Sequence, residues 1–438
     1  MRTTRRSFPC ILIVLLWLGA ATFGRGLPSA SPRSVRLGTE RLGRITALME
    51  KHVEEERLAG AVALIARRGK TAYLQCVGMQ DKEKKIKMKP DTIFRIASMS
   101  KPITSVAVLM LYEEGHFQLQ DPIARFIPEF KNPTVLVTEP SDDNDAKKGD
   151  VVPTRRPITI RHLLTHTSGL TYHWDQRVGD KYKEAGITHG LLQDDDLLGD
   201  DMKKLARIPL VHQPGEAWTY GLSVDVLGRL VEVVSGMSFD EFLRERIFEP
   251  LRMNDTYFYL PDKKVSRLAA VYGPDGKGGL KHLGDDVLGD GAMTYTTTYP
   301  YEGPRKYYSG GGGLCSTVPD YARFAQMLLN GGQLDGVRLL SRKTVELMTA
   351  DHVGDLNEGF GFGLLGLGTG AVLLVLGAIV AFLLVRGAPA LSWEFITAFP
   401  RRGMTEGGIF PALVGTLYLV VGTAIIAVPL GVGAAVYL

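Results

Sequence analysis

The sequence predicts an α/β (α+β) domain, a sheet flanked by helices, followed by two transmembrane helices. Three observations carry that prediction: an alternating hairpin near the N-terminus, helical stripes of apolar residues beyond it, and an abrupt loss of charge toward the C-terminus. Of the 438 residues 45% are hydrophobic and 22% charged, enough to bury a sizeable core. Charged residues are spread as far as Glu358, whereas Leu364 to Val385 and Gly407 to Leu438 contain none. The net charge of +4 is mild and no dense Lys/Arg block interleaves with aromatics, which argues against a nucleic-acid partner.

At the N-terminus, Arg2, Arg5 and Arg6 precede a short apolar run from Ile11 to Ala21. That layout over residues 1–26 reads as a secretory signal peptide and predicts export to a periplasmic or other extracytoplasmic space. Residues 27–39 form a Pro/Ser/Arg-rich linker, and an amphipathic helix is expected over 40–57. The runs AVALIARRG and TAYLQCVGM then alternate like strands and, joined by Arg68, Gly69 and Lys70, predict a β-hairpin. Cys10 lies in the signal, and Cys76 and Cys315 are too far apart in sequence to establish a disulfide.

The stretch TIFRIASMSKPITSVAVLMLYEEGH contains the first chemistry. A helix beginning at Ser98 accepts Pro102 in its first turn, presents Ile103, Val106, Ala107 and Met110 as an apolar stripe, and ends at Gly115. Ser98 and Lys101 then lie one turn apart on one face. A serine hydroxyl needs a base to become a nucleophile; a partly desolvated amine can supply it, and the helix N-terminus favours developing negative charge. Taken alone, this spacing is common by chance.

Other polar clusters point to structure. His162 and His166 have helical spacing but lack a carboxylate or third ligand, so hydrogen bonding is expected and no metal site. The acidic runs SDDNDAKKGD and QDDDLLGDD lack the EF-hand offsets and read as solvated loops. Gly310 to Gly313 lacks the strand and lysine of a phosphate cradle and reads as a tight backbone passage. SFDE at Ser238–Glu241 reads as a capping box. No cofactor is expected.

Four ordered stretches give the serine its context: IFRIASMSKPITSVAVLMLYEEGHFQLQDPIARFIPEF, PITIRHLLTHTSGL, PGEAWTYGLSVDVLGRLVEVVSGMSFDEF and SGGGGLCSTVPDYARFAQMLLNGG. Over about 40–363 the chain thereby resembles the serine β-lactamase and penicillin-binding-protein superfamily, most closely its class C-like esterases and β-lactamase-related hydrolases. The resemblance implies a β-lactamase-like fold with Ser98 as the acylated nucleophile, Lys101 as its general base and Tyr220 as a proton shuttle. Leu222 stands where the family usually has asparagine. Loss of that amide donor leans the expected substrate toward an ester or peptide.

In that family a segment like EGFGFGL leads into a strand bearing the third active-site motif and the second oxyanion donor. No such motif is recognisable after Gly363, so the fold is expected to be truncated before its last three sheet strands. Instead two apolar runs, about 364–385 and 410–438, are each long enough to span a bilayer, which predicts membrane association. Residues 364–438 also resemble the N-terminal part of a phosphate ABC transporter permease, so the chain reads as two truncated parts joined near Leu364. The expected activity is hydrolysis of a small acyl substrate, an ester, peptide or β-lactam, through an acyl-serine intermediate, impaired by the missing motif. The alternatives are a membrane transport permease fragment and a non-catalytic penicillin-binding-type relative.

Overall fold

The computed structural model describes residues 26–137, 149–284, 287–288 and 295–356. The expected signal peptide, most of the first acidic run, both expected spans and the place of the third motif lie outside the described residues. Among the described residues no helix is long and apolar enough to cross a membrane.

Helix α1, Thr39–Glu54, stops slightly short of its expected end. Strands β1, Gly60–Arg67, and β2, Lys70–Asp81, form the expected antiparallel hairpin, but Lys70 pairs with Arg67 and belongs to β2. The connection is therefore the two-residue loop Arg68–Gly69, at φ 56° and 72°. Two left-handed residues make the type of turn whose twist matches the flanking strands, which is why glycine is useful there. A short β3, Ile86–Lys87, extends the sheet to the order β1-β2-β3. Among the described residues the outer edge of β1 is unpaired.

Helix α2, Ser100–Glu113, forms the centre of the core. Its expected apolar stripe proves too narrow a description, because every residue from Ser100 to Leu111 is buried. A helix covered all round packs inside other elements, and α2 lies against the helix Ser223–Ser235. Gly115, at φ 83°, follows its end. Phe94–Arg95 pairs with Cys315–Ser316, joining the segment before Ser98 to the strand just after the glycine run. That pairing brings two regions more than two hundred residues apart to one place. Cys76 and Cys315 are both free thiols.

Two expectations need correction. The second acidic run is not all solvated: Asp201 is fully buried, within the helix Leu198–Leu205, and accepts the Thr188 N–H at 2.9 Å. Ser238 does sit at a helix N-cap, but its hydroxyl donates to Glu241 at 2.9 Å and caps no backbone N–H. A capping box does form at Thr159, whose hydroxyl accepts the His162 N–H while His162 Nδ1 accepts the Thr159 N–H, both at 3.2 Å.

Candidate active site

Ser98 lies in a single 3₁₀ turn, Ala97–Met99, that runs directly into α2. Ala97 has φ 43°, a left-handed conformation that costs a non-glycine residue about 1–3 kcal/mol and tends to occur where function demands it. Ser98 Oγ is 2.6 Å from Tyr220 Oη and accepts from Lys101 Nζ at 3.3 Å. The three residues singled out in the sequence thus meet at one hydroxyl.

Lys101 is 4% exposed, and its ammonium also donates to the Gly311 carbonyl at 2.7 Å and to Tyr172 Oη at 3.2 Å. Burial lowers its pKa to about 8, partly opposed by the charge of Asp225. An amine so placed is available as a base near neutral pH, which a solvated lysine is not. Burial pushes the Tyr220 phenol up to about 12, opposed by its hydrogen bond with Ser98, so it keeps its proton at neutral pH. Tyr172 is raised well above its ordinary value, again chiefly by burial.

The rings around Ser98 are aromatic on several sides. Tyr220 stacks on Trp174 with centroids 6.3 Å apart and planes 9° from parallel, and on Trp218 at 6.2 Å. His166 packs 5.0 Å from Tyr220, and burial holds its pKa near 3, so the ring is neutral. His162 thus closes the capping box at Thr159, and His166 packs behind Tyr220. Among the described residues no cluster of His, Cys, Asp or Glu could hold a metal ion. Leu222 is 1% exposed and packs in the core, so its side chain does not line the cleft.

The glycine run is the tight passage its sequence suggested. A methyl group added to Gly310 would lie 2.6 Å from the Val224 carbonyl, and one on Gly311 2.5 Å from Asp225 Oδ2. Thr104 Oγ1 donates to the Gly310 carbonyl at 2.9 Å, so α2 and the Ser223–Ser235 helix grip the run from both sides. Tyr172 and Asp225 were not singled out from sequence, and Gly311 was read only as part of a tight passage; nothing in the sequence links the three to Ser98.

A β-lactamase-like fold carrying this cluster defines the class: serine hydrolases, esterases and acyltransferases of the β-lactamase fold. The chain belongs to the Beta-lactamase family, whose model matches residues 45–380. That match runs past Gly363, and the comparisons give no support to a permease resemblance over 364–438. An uncharacterised protein of Mycobacterium tuberculosis is 38% identical over 298 residues, 68% of this chain and 69% of that one. Esterase EstB of Burkholderia gladioli is 34% identical over 286 residues, 64% of this chain and 68% of its own length. Among solved structures, EstCE1, described as a hydrolase with promiscuous acyltransferase activity, superposes with a TM-score of 0.63 at 29% identity, covering 74% of this chain and 82% of that one.

Proposed function

We propose that the protein is a serine esterase that forms an acyl-enzyme on Ser98, and that its preferred substrates are esters with an apolar group. The supporting observation is the Ser98 hydroxyl held between Tyr220 Oη and Lys101 Nζ. In its neutral form Lys101 takes the Ser98 proton as Oγ bonds to the ester carbonyl carbon. Collapse of the tetrahedral adduct breaks the bond to the alcohol. Tyr220 protonates the departing oxygen and recovers a proton from the Lys101 ammonium, leaving both groups as they began. Water then releases the acid from Ser98; a second alcohol would instead receive the acyl group, an acyl transfer of the general kind that EstCE1's description names for that protein.

The apolar preference rests on Trp174, which is 44% exposed although stacked on Tyr220. Its outer face is a flat apolar shelf beside the nucleophile. We also infer that turnover is slow, because the sequence after Gly363 contains no recognisable third motif. Absence of one oxyanion donor typically costs about 100- to 1,000-fold. The test compares p-nitrophenyl acetate, p-nitrophenyl butyrate and nitrocefin with the full chain and with a version whose C-terminus is rebuilt from a complete relative. Faster butyrate than nitrocefin turnover, and a gain of 100-fold or more on rebuilding, are expected. Preferred nitrocefin hydrolysis would overturn the ester reading, and equal rates for the two versions would overturn the impairment.

A further inference from the structure

Asp225 is fully buried in the first turn of the Ser223–Ser235 helix, yet it touches none of the three residues at the nucleophile by hydrogen bond. Its Oδ1 accepts the Ser309 hydroxyl at 2.6 Å and the Gly311 N–H at 3.3 Å, while its Oδ2 has no hydrogen-bond partner. The same Gly311 peptide turns its carbonyl to Lys101 Nζ at 2.7 Å. A methyl group placed on Gly311 would lie 2.5 Å from Asp225 Oδ2 and 3.2 Å from Tyr172 Oη, so both oxygens face the same side of this glycine. Tyr172 Oη in turn accepts from Lys101. One carboxylate therefore holds the peptide that holds the lysine, and its free oxygen sits beside the phenol that the lysine also touches.

We propose that Asp225 is a positioning residue for Lys101: it fixes the Gly311 carbonyl as the lysine's acceptor and serves as the buried counter-charge that keeps the amine from losing its proton too easily. This rests on the reading of Lys101 as the base for Ser98. Burial without a counter-charge would drive the amine's pKa far down, leaving a neutral but weak base. The carboxylate acts in the opposite direction on Lys101. Five other groups meet this pair: Ser98, Tyr172 and Tyr220 around the amine, the neutral ring of His166 behind Tyr220, and Tyr307, which is buried within range of Asp225. Each of these is uncharged at neutral pH; burial raises the Asp225 carboxyl, opposed by its bond from Ser309 and by the Lys101 charge, and the carboxylate in turn acts upward on Lys101.

The test titrates Lys101 by NMR in the full chain labelled with ¹³C,¹⁵N-lysine, its signal assigned by its absence in Lys101→Arg. A wild-type midpoint near 8 is expected. Asp225→Asn keeps an acceptor for Ser309 and Gly311 but removes the charge, and should lower the midpoint by about one pH unit or more. Ser309→Ala, which removes one donor from the carboxylate, should lower it by less and serves if Asp225→Asn does not fold. An unchanged or raised midpoint in a folded variant would overturn the proposal. Fluorophosphonate labelling of Ser98 measured alongside separates the two readings: a shifted lysine with an unreactive serine contradicts the esterase reading and leaves the role of Asp225 standing.

Discussion

Replacing Tyr220 by phenylalanine removes one oxygen from the site and almost nothing else, which makes the size of its effect diagnostic. The lost atom is the partner of Ser98 Oγ at 2.6 Å. The ring keeps its neighbours: Trp174 at 6.3 Å, Trp218 at 6.2 Å, Tyr172 at 5.4 Å and His166 at 5.0 Å between centroids. One partly buried hydrogen bond contributes about 1 kcal/mol to stability, so the melting temperature should fall by only a few degrees. The barrier to acylation should rise far more, because a proton must reach the departing oxygen and no other phenol hydrogen-bonds Ser98 among the described residues. General acid–base groups contribute about 100- to 10,000-fold, or roughly 3–5 kcal/mol in the barrier. The assay follows Ser98 acylation by an unactivated alkyl ester, whose alkoxide leaving group needs a proton, in single turnover, with thermal melting measured on the same protein. A Tyr220→Phe variant that melts normally and acylates within about fivefold of the wild-type rate would refute the proton-transfer role.

Three other perturbations have defined outcomes. Acylation of Ser98 needs neutral Lys101, whose pKa is lowered to about 8, so the rate should rise about tenfold per pH unit below that value and level off above it; a flat profile from pH 5 to 9 would exclude Lys101 as the base. Gly311→Ala places a methyl 2.5 Å from Asp225 Oδ2 and should cost about 1–3 kcal/mol in chemical denaturation, with wild-type stability contradicting the tight passage. The uncharged runs beyond Gly363 are long enough to span a bilayer, so the full chain should stay in the membrane pellet through carbonate extraction, and its release would show that they do not span.

What the sequence made legible was local. The Arg68–Gly69 turn, α1 and the SxxK turn each depend on neighbours within a few residues, and all three appear where they were expected apart from small boundary shifts. The three residues proposed for catalysis could be found because two lie one turn apart and the third falls in a segment with a family resemblance. Tyr172, Asp225 and the link from Gly311 to Lys101 were illegible for the converse reason. Lys101 meets Tyr172 across 71 positions and Gly311 across 210, a proximity created by packing of α2 against the Ser223–Ser235 helix rather than by any pattern in the chain. An acidic residue such as Asp225 in a first helical turn already has an ordinary explanation in the helix dipole. Leu222 was read only as the loss of an amide donor; its own side chain, at a helix N-cap, turns inward and is buried. Asp201 was read as solvated for being one aspartate among several, whereas its pairing with the Thr188 N–H, set by tertiary structure, buries it.

The most direct measurement is the intact mass and peptide map of the full chain after incubation with a fluorophosphonate, beside the same treatment of Ser98→Ala. A single adduct on the peptide containing Ser98, absent from Ser98→Ala although that variant melts like the wild type, is the predicted result. An adduct that persists in Ser98→Ala, or a wild-type chain that acquires none, would contradict Ser98 as the nucleophile.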